Sequence, residues 1–249
     1  MRNLRNVFDL RRTGTMLSLS LLLGGSLSAV WQAAIAQDIF RVQLPDISAP
    51  GNRESGSTRS TTCIAPNDNL VALIPQTNYG LTESAYPTVY FYLPPTTAEQ
   101  VKFVLLNEST NELVYESRFA ISNLSGIASI SLPNNGLQQS LAVDETYVWY
   151  IAVVCEPTDP SADVVTEGQI ARVESLPTAA TATAEELPRV YAEAGLWYDA
   201  IAAAAVLKQD DSTVAWNTLL NAVELTELIP VELLDGSPAA TASAVTVTP

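Results

Sequence analysis

The chain has 249 residues, with 12 basic and 27 acidic side chains, a net charge of −15 and no histidine. The missing histidine excludes a Ser-His-Asp triad, a Cys-His nucleophile pair and a histidine-bearing zinc site. The excess of acid argues against nucleic acid and anionic membrane surfaces as partners, because both attract Lys and Arg.

Residues 1–36 have the pattern of a cleavable export signal, with a basic start, an apolar run from Met16 to Val30 and an Ala-x-Ala ending at Ala36. The apolar run has 15 residues, whereas a membrane span needs roughly 20. We therefore predict cleavage after Ala36 and a periplasmic or secreted mature protein, with an uncleaved N-terminal anchor as the alternative. Residues 1–36 hold four basic residues and one acid, so 8 basic and 26 acidic residues and a net charge of −18 remain.

Residues 37–62 are rich in Pro, Gly, Ser and Thr and show no periodicity, which predicts an irregular arm. Arg41, Arg53 and Arg59 are three of the eight basic residues that remain after cleavage, so we predict a basic arm on an acidic protein. We predict Arg53 and Arg59 as possible partner-binding residues.

Residues 63–176 have a strand pattern, which predicts a mainly β fold. The predicted strands are Asn69–Ile74, Pro87–Leu93, Glu99–Leu106, Glu112–Phe119, Gly126–Leu132, Thr146–Cys155 and Thr166–Glu174. The polar turn Asn107–Asn111 joins two of them as a hairpin. The segment Thr146–Cys155 is apolar on both faces, as expected of a central strand. Short strands separated by turns are typical of a β-sandwich of immunoglobulin or fibronectin type.

Cys63 and Cys155 are the two cysteines of the chain. Two thiols in an oxidising compartment most often pair, so we predict a disulfide between them. A catalytic or metal-binding thiolate is the competing interpretation.

Residues 177–234 predict an α-helical C-terminal part, and the Ala-, Thr- and Ser-rich residues 235–249 predict a disordered tail. Gly195, Trp197 and Ala200 follow the G-x-[YW]-x-x-A spacing of a single tetratricopeptide unit. The simpler interpretation is a helical hairpin that packs on the sandwich and has no peptide-binding groove. Trp197 and Tyr198 look exposed in this pattern, so they join the predicted partner-binding residues.

The sequence predicts an exported, non-catalytic binding or interaction module of unknown ligand. It contains no phosphate-binding loop, calcium loop or nucleophile motif, and no pattern singles out a pair of carboxylates. We therefore predict no cofactor, no metal and no catalytic residue, with an envelope or secreted protein or a glycan as the partner. The alternatives are an envelope-associated structural protein without a discrete ligand and, third, a carboxylate-dependent glycan hydrolase.

Several segments together carry a resemblance to a known family. They are Arg53–Arg59 (RESGSTR), Cys63, Leu70–Pro75 (LVALIP), Gly80–Thr82, Pro87–Pro94 (PTVYFYLP) and Gly195–Ala200 (GLWYDA), followed by Trp216-x-x-Leu219-Leu220. Over roughly residues 50–230 the chain resembles the cyanobacterial domain-of-unknown-function family numbered 928. One family glycine is replaced, because Ser55-Gly56-Ser57 keeps a single glycine. The resemblance implies an exported cyanobacterial protein and supplies no activity.

Overall fold

The computed structural model describes residues 40–55 and 63–234, together with the backbone of Ala240–Thr241. The predicted signal peptide (1–36) and its cleavage site lie outside these residues, so both stay predictions. Within the described ranges, no helix combines the length and the apolar character that a membrane crossing requires.

The described chain contains more strand than helix, as the sequence predicts. Their bounds are β1 Val71–Ala72, β2 Tyr79–Thr82, β3 Thr88–Leu93, β4 Gln100–Asn107, β5 Leu113–Ala120, β6 Gly126–Ser131, β7 Thr146–Val153, β8 Val164–Arg172 and β9 Ala240–Thr241. Each predicted strand corresponds to one of these, whereas β2 and β9 were not predicted. In β3, Val89, Phe91 and Leu93 are buried and the residues between them are only partly buried, which confirms the predicted alternation.

The strands form two sheets, and three C-terminal helices complete the mainly β fold. The smaller sheet has the order β1-β3-β6 and the larger has the order β2-β8-β7-β4-β5-β9. Strands β2 and β8 pair in parallel, and the other pairings are antiparallel. The predicted β4–β5 hairpin is confirmed.

Strand β7 occupies the middle of the larger sheet, as its apolar sequence predicts. Trp149 of β7 lies opposite Gly168 of β8 in the register. A Cβ atom at Gly168 would lie 2.5 Å from Trp149 Cζ2 and 2.6 Å from Ile74 Cδ1. Glycine is therefore required at this position, because it lets the indole pack directly against the neighbouring strand.

Three helices follow the strands, where the sequence predicted a hairpin. They are α1 Leu187–Glu193, α2 Trp197–Gln209 and α3 Val214–Ala222. Pro188 lies in the first turn of α1, where its missing N–H removes no helical hydrogen bond. Gly195 follows α1 with a φ of 80° and separates it from α2. The break gives the C-terminal part three helices, with the short α1 before the pair α2–α3.

The helices share one apolar core with the sheets. The cluster of buried side chains contains Phe91 and Phe103 from the strands together with Ile201 and Leu219 from the helices. Helix α2 packs against β2 and β3. The helical segment thus covers apolar surface that the strands would otherwise expose.

The arm is irregular, as predicted, and it is docked along its described length. The Gln43 N–H donates to the Ala192 carbonyl in α1 (2.9 Å), and the Ala49 N–H donates to the Thr77 carbonyl (2.8 Å). Glu54 then forms an antiparallel bridge with β1. Backbone hydrogen bonds rather than regular structure therefore hold the arm in place.

The C-terminal segment runs along strands of both sheets. Leu233 forms a parallel bridge with Ile127 in β6, and the backbone of Ala240–Thr241 pairs with Arg118 and Phe119 of β5. The prediction of an unstructured tail is wrong at these two residues. The rest of 235–249 lies outside the described ranges.

The predicted disulfide is confirmed. Cys63 and Cys155 are bonded across a sequence separation of 92 residues, with their Cα atoms 5.3 Å apart. The bond joins the segment after the arm to the end of β7.

Candidate functional site

The structure places Trp197 and Tyr198 in the interior, so their predicted exposure is wrong. They are 1% and 2% exposed. The Trp197 Nε1–H donates to the Leu73 carbonyl at 2.9 Å. The Tyr198 hydroxyl accepts from Trp149 Nε1 at 2.8 Å and donates to the Gln169 carbonyl at 3.0 Å. Their polar atoms find partners inside the fold, which permits burial of both rings.

Arg53, another predicted partner-binding residue, fastens the arm to α3. Its guanidinium donates to the carbonyl of Val223 (2.7 Å) and to that of Ile74 (3.4 Å). It also lies 3.5 Å from the Glu54 carboxylate. Val223 follows α3 as its C-cap, so the cation lies at the negative end of a helix dipole. Arg59 lies outside the described residues.

A polar cleft opens between the arm and the loop that joins β1 to β2. It has a volume of about 220 Å³ and is lined by Gly51, Asn52, Arg53, Glu54, Gln76 and Asn78. We call it the arm cleft. None of these six residues carries an apolar side chain, so the cleft suits a ligand that forms hydrogen bonds.

The arm side of the cleft is fixed by hydrogen bonds to the two sheets. The Thr166 hydroxyl donates to the carbonyls of Asn52 (2.9 Å) and Arg53 (2.8 Å). The Ala72 N–H donates to the Arg53 carbonyl at 2.7 Å, and the Glu167 N–H donates to the Asn52 carbonyl at 3.2 Å. This wall is therefore formed before any ligand binds.

Asn78 provides the opposite wall and has an unusual environment. Its φ of 54° lies in the left-handed region, which asparagine tolerates better than most residues. Its side-chain N–H donates to the Gly51 carbonyl. The residue is 7% exposed, and its Oδ1 is buried with no hydrogen-bond partner among the described residues. Buried amide oxygens without a hydrogen-bond partner are rare in proteins, so this atom is a notable feature of the wall.

Carboxylates dominate the exposed charge around the arm cleft. The Glu54 side chain is 50% exposed, whereas that of Arg53 is 10% exposed. The Gln76 Nε2–H donates to Glu224 Oε2 at 2.6 Å, which brings a second exposed carboxylate to the rim. The cleft thus presents a negative face to a ligand.

A second group of acids lies where β2 meets the helices. The Asp199 carboxylate accepts from the Thr82 hydroxyl (3.1 Å) and the Glu83 N–H (3.0 Å), and burial raises its pKa to about 6. The two Glu83 oxygens accept from the Tyr191 hydroxyl (3.0 Å) and the Leu176 N–H (2.5 Å). Burial, and next the bond to Glu83, raise the pKa of Tyr191 to about 12. Both carboxylates are occupied by bonds that join β2 to α1 and α2.

Within the described ranges, no three Asp, Glu, Cys or His side chains come close enough to hold a metal ion. Sequence reasoning did not select Gln76 or Asn78 for the site. The turn-forming residues Pro75–Asn78 before a short strand were the available signal. That signal indicates a turn and says nothing of the arm that packs beside it.

Comparison with known proteins gives one family match and one weak structural likeness. A family model described as Domain of Unknown Function (DUF928) matches residues 54–233. No curated protein matches the chain significantly. A solved fn3 domain of human collagen alpha-1(XX) chain is similar with 10% identity and a TM-score of 0.29, covering 48% of this chain and 91% of that one.

Proposed function

Because the chain belongs to the Domain of Unknown Function (DUF928) family, whose description assigns no activity, we propose a function from the arm cleft. We propose that the protein is an exported, non-catalytic binding module that takes a small, hydroxyl-rich ligand, such as one sugar unit of a glycan. The match confirms the predicted family. The cyanobacterial origin that the resemblance implies belongs to this proposal.

The observation that carries the proposal is a cleft of about 220 Å³ whose six lining residues all present polar groups. Ligand pockets in proteins usually start at about 300 Å³, so this cleft suits a single sugar ring better than a larger molecule. The asparagine, glutamine and glutamate side chains have the planar polar groups that hydroxyl ligands require. Asn78, whose Oδ1 is buried with no hydrogen-bond partner among the described residues, belongs to the same wall.

The disulfide supports the exported location. Disulfide bonds form and persist in oxidising compartments such as the periplasm and the extracellular space. Cys63 and Cys155 are joined, as expected of a chain that leaves the cytoplasm. N-terminal sequencing of the protein from the exported fraction tests the location, and we expect the mature chain to begin at Gln37.

The hydrogen bonding of two partly buried acids supports a non-catalytic role over the glycan hydrolase. A glycosidase needs two carboxyl groups that face a substrate across a cleft. The acids that the fold brings together, Glu83 and Asp199, are engaged by backbone and side-chain donors. They lie apart from the residues that line the arm cleft.

The finer architecture is also part of the proposal. We propose that the two sheets pack as a sandwich of fibronectin type. The support is that the buried residues of β3 (Val89 and Phe91) and of β4 (Val101 and Phe103) belong to one apolar cluster. An experimental structure would decide whether these faces stack with the alignment of a sandwich.

Titration of the mature chain with monosaccharides and disaccharides, followed by NMR, tests the ligand class. We expect the side-chain amide signals of Gln76 and Asn78 to shift on binding. The amide of Gln139, an exposed glutamine on the β6–β7 connection, is the matched control and should not move.

If no sugar shifts the cleft amides at about millimolar concentration, the binding module proposal is wrong. Co-sedimentation of the unliganded protein with envelope fragments would then favour a structural, envelope-associated role. A Gln139 shift equal to that of Gln76 would indicate non-specific binding and would also count against the arm cleft.

A further inference from the structure

The side-chain donors of the arm cleft are already used within the protein. Gln76 Nε2 donates to Glu224, and Asn78 Nδ2 donates to Gly51. Two carbonyls and the Glu54 carboxylate occupy the Arg53 guanidinium. Among the described residues, Asn78 Oδ1 has no hydrogen-bond partner and the Glu54 carboxylate is half exposed, so the side-chain groups of the cleft that keep hydrogen-bonding capacity are acceptors.

The charges of the cleft are arranged unequally between the surface and the interior. The Glu54 side chain is 50% exposed and the Arg53 side chain is 10% exposed, while Glu224 is exposed at the rim. Arg53, Glu54 and Glu224 together carry a net charge of −1, and solvent reaches the two carboxylates more readily than the guanidinium, to which Glu54 is also paired. The whole mature chain, at a net charge of −18, adds attraction for cations at long range.

We propose that the arm cleft selects a ligand that carries a protonated amino group, such as an amino sugar with a free amine. This inference rests on the proposed function and names its ligand class. An ammonium group donates three hydrogen bonds and accepts none, so it matches a cleft that offers acceptors. Its charge is compensated by Glu54 and Glu224, and the ring hydroxyls bind the remaining polar groups.

A comparison of three probes against the mature chain tests the inference: glucosamine, glucose and N-acetylglucosamine, measured by calorimetric titration. We expect glucosamine to bind about tenfold more tightly than either neutral sugar, since a close ion pair near a protein surface has that order of effect. The advantage should shrink as salt is raised and should disappear at a pH where the amine is neutral.

The variants Glu54→Gln and Glu224→Gln remove the two carboxylates while keeping their size. Each should reduce the ratio of glucosamine affinity to glucose affinity. Glu108→Gln is the matched control, because Glu108 is an exposed acid on the β4–β5 turn, and it should keep the preference. Circular dichroism melts of the variants confirm that each is folded.

Failure of the amine inference and failure of the proposed function give different results. Equal binding of glucosamine and glucose, with shifts at the Gln76 and Asn78 amides, would overturn the amine inference and leave the proposed function standing. No binding of any of the three sugars would overturn the proposed function and the inference with it. A glucosamine preference that survives both substitutions would place the amine outside the arm cleft and would also overturn the inference.

Discussion

At the residue scale, the hydroxyl of Tyr198 links α2 to two neighbouring strands of the core. It accepts from the Trp149 indole and donates to the Gln169 carbonyl, and both Trp149 and Tyr198 are almost completely buried. Removing the hydroxyl would leave the indole N–H without a partner in an apolar environment. An unpaired buried donor costs more than the hydrogen bond itself contributes.

We therefore expect Tyr198→Phe to lower the free energy of unfolding by about 1–3 kcal/mol. Urea denaturation of the mature protein measures the change. Tyr150→Phe is the control, because Tyr150 lies on the less buried face of β7 and should change stability by less than about 0.5 kcal/mol. Equal effects of the two substitutions would contradict the assigned role of the hydroxyl.

Asp199 makes stability depend on pH. Burial raises its pKa from 3.8 to about 6, so the folded protein favours the protonated form more strongly than the unfolded chain does. This stabilising contribution is complete below about pH 3.8 and is lost as the pH rises through about 6. From the usual ~1.4 kcal/mol for each pKa unit, its size is at most about 3 kcal/mol.

Replacement of Asp199 with Asn should remove this contribution. We expect the difference in unfolding free energy between Asp199→Asn and the parent chain to grow between pH 4 and pH 7 in favour of the variant, by at most about 3 kcal/mol. Asp210→Asn, at an exposed acid after α2, is the control. A difference that stays constant over this range would show that Asp199 titrates near its ordinary pKa.

At the scale of elements, the arm depends on Arg53. One side chain joins the arm to the loop after β1 and to the C-cap of α3. We expect Arg53→Ala to lower the free energy of unfolding by about 1–3 kcal/mol, since it removes hydrogen bonds from a charged donor to buried carbonyls. Arg41→Ala, at an exposed arginine of the same arm, should have little effect. Thermal melts that do not distinguish the variants would refute this docking role.

The strands with a clear two-residue period were predictable from the sequence, and β2 was not. Strands β3, β4 and β7 alternate buried and partly buried residues, which is a local signal. Strand β2 has four residues, includes Gly80, and pairs in parallel with the distant β8. Its partner lies about ninety residues further along the chain, so no local sequence pattern predicts strand β2.

The candidate site could be predicted only in part, because docking of the arm creates it. Arg53 was selected for its charge, but its contact with Val223 depends on the tertiary fold. Trp197 and Tyr198 were misjudged because α2 is apolar around most of its circumference and thus gives little indication of which face is buried. Gln76 and Asn78 became site residues only when residues 51–54 packed beside them.

At the scale of the whole molecule, chain segments within the described ranges cover both edges of the smaller sheet and strand β5 of the larger one. Glu54 bridges β1 and Leu233 bridges β6. Ala240–Thr241 pairs with β5, and the Gln138 side chain donates to the Val114 carbonyl of the same strand (3.0 Å). Covered edges protect a sheet protein from association by strand addition.

The disulfide stabilises the whole molecule by restricting its unfolded state. For a separation of 92 residues the chain-entropy model gives about 4–5 kcal/mol, and removal of a native disulfide typically costs about 2–5 kcal/mol. We expect the Cys63→Ser, Cys155→Ser double variant to lose that amount of unfolding free energy and therefore to unfold at a lower urea concentration. Measurement of the parent chain with and without reductant is the control, and agreement of the reduced parent with the variant is expected.

The parallel pairing of β2 with β8 has a consequence for how the chain acquires its structure. Strand β2 (Tyr79–Thr82) can pair only after Gln169–Arg172 has been synthesised. The Leu73 carbonyl likewise accepts its hydrogen bond from the Trp197 indole, which lies 124 residues later in the chain. Contacts between such distant segments slow folding, because a long loop closes before its contacts are gained. A ribosome therefore releases most of this polypeptide before its larger sheet can be completed. That delay is compatible with the proposed export, since a membrane pore admits a chain that is still extended.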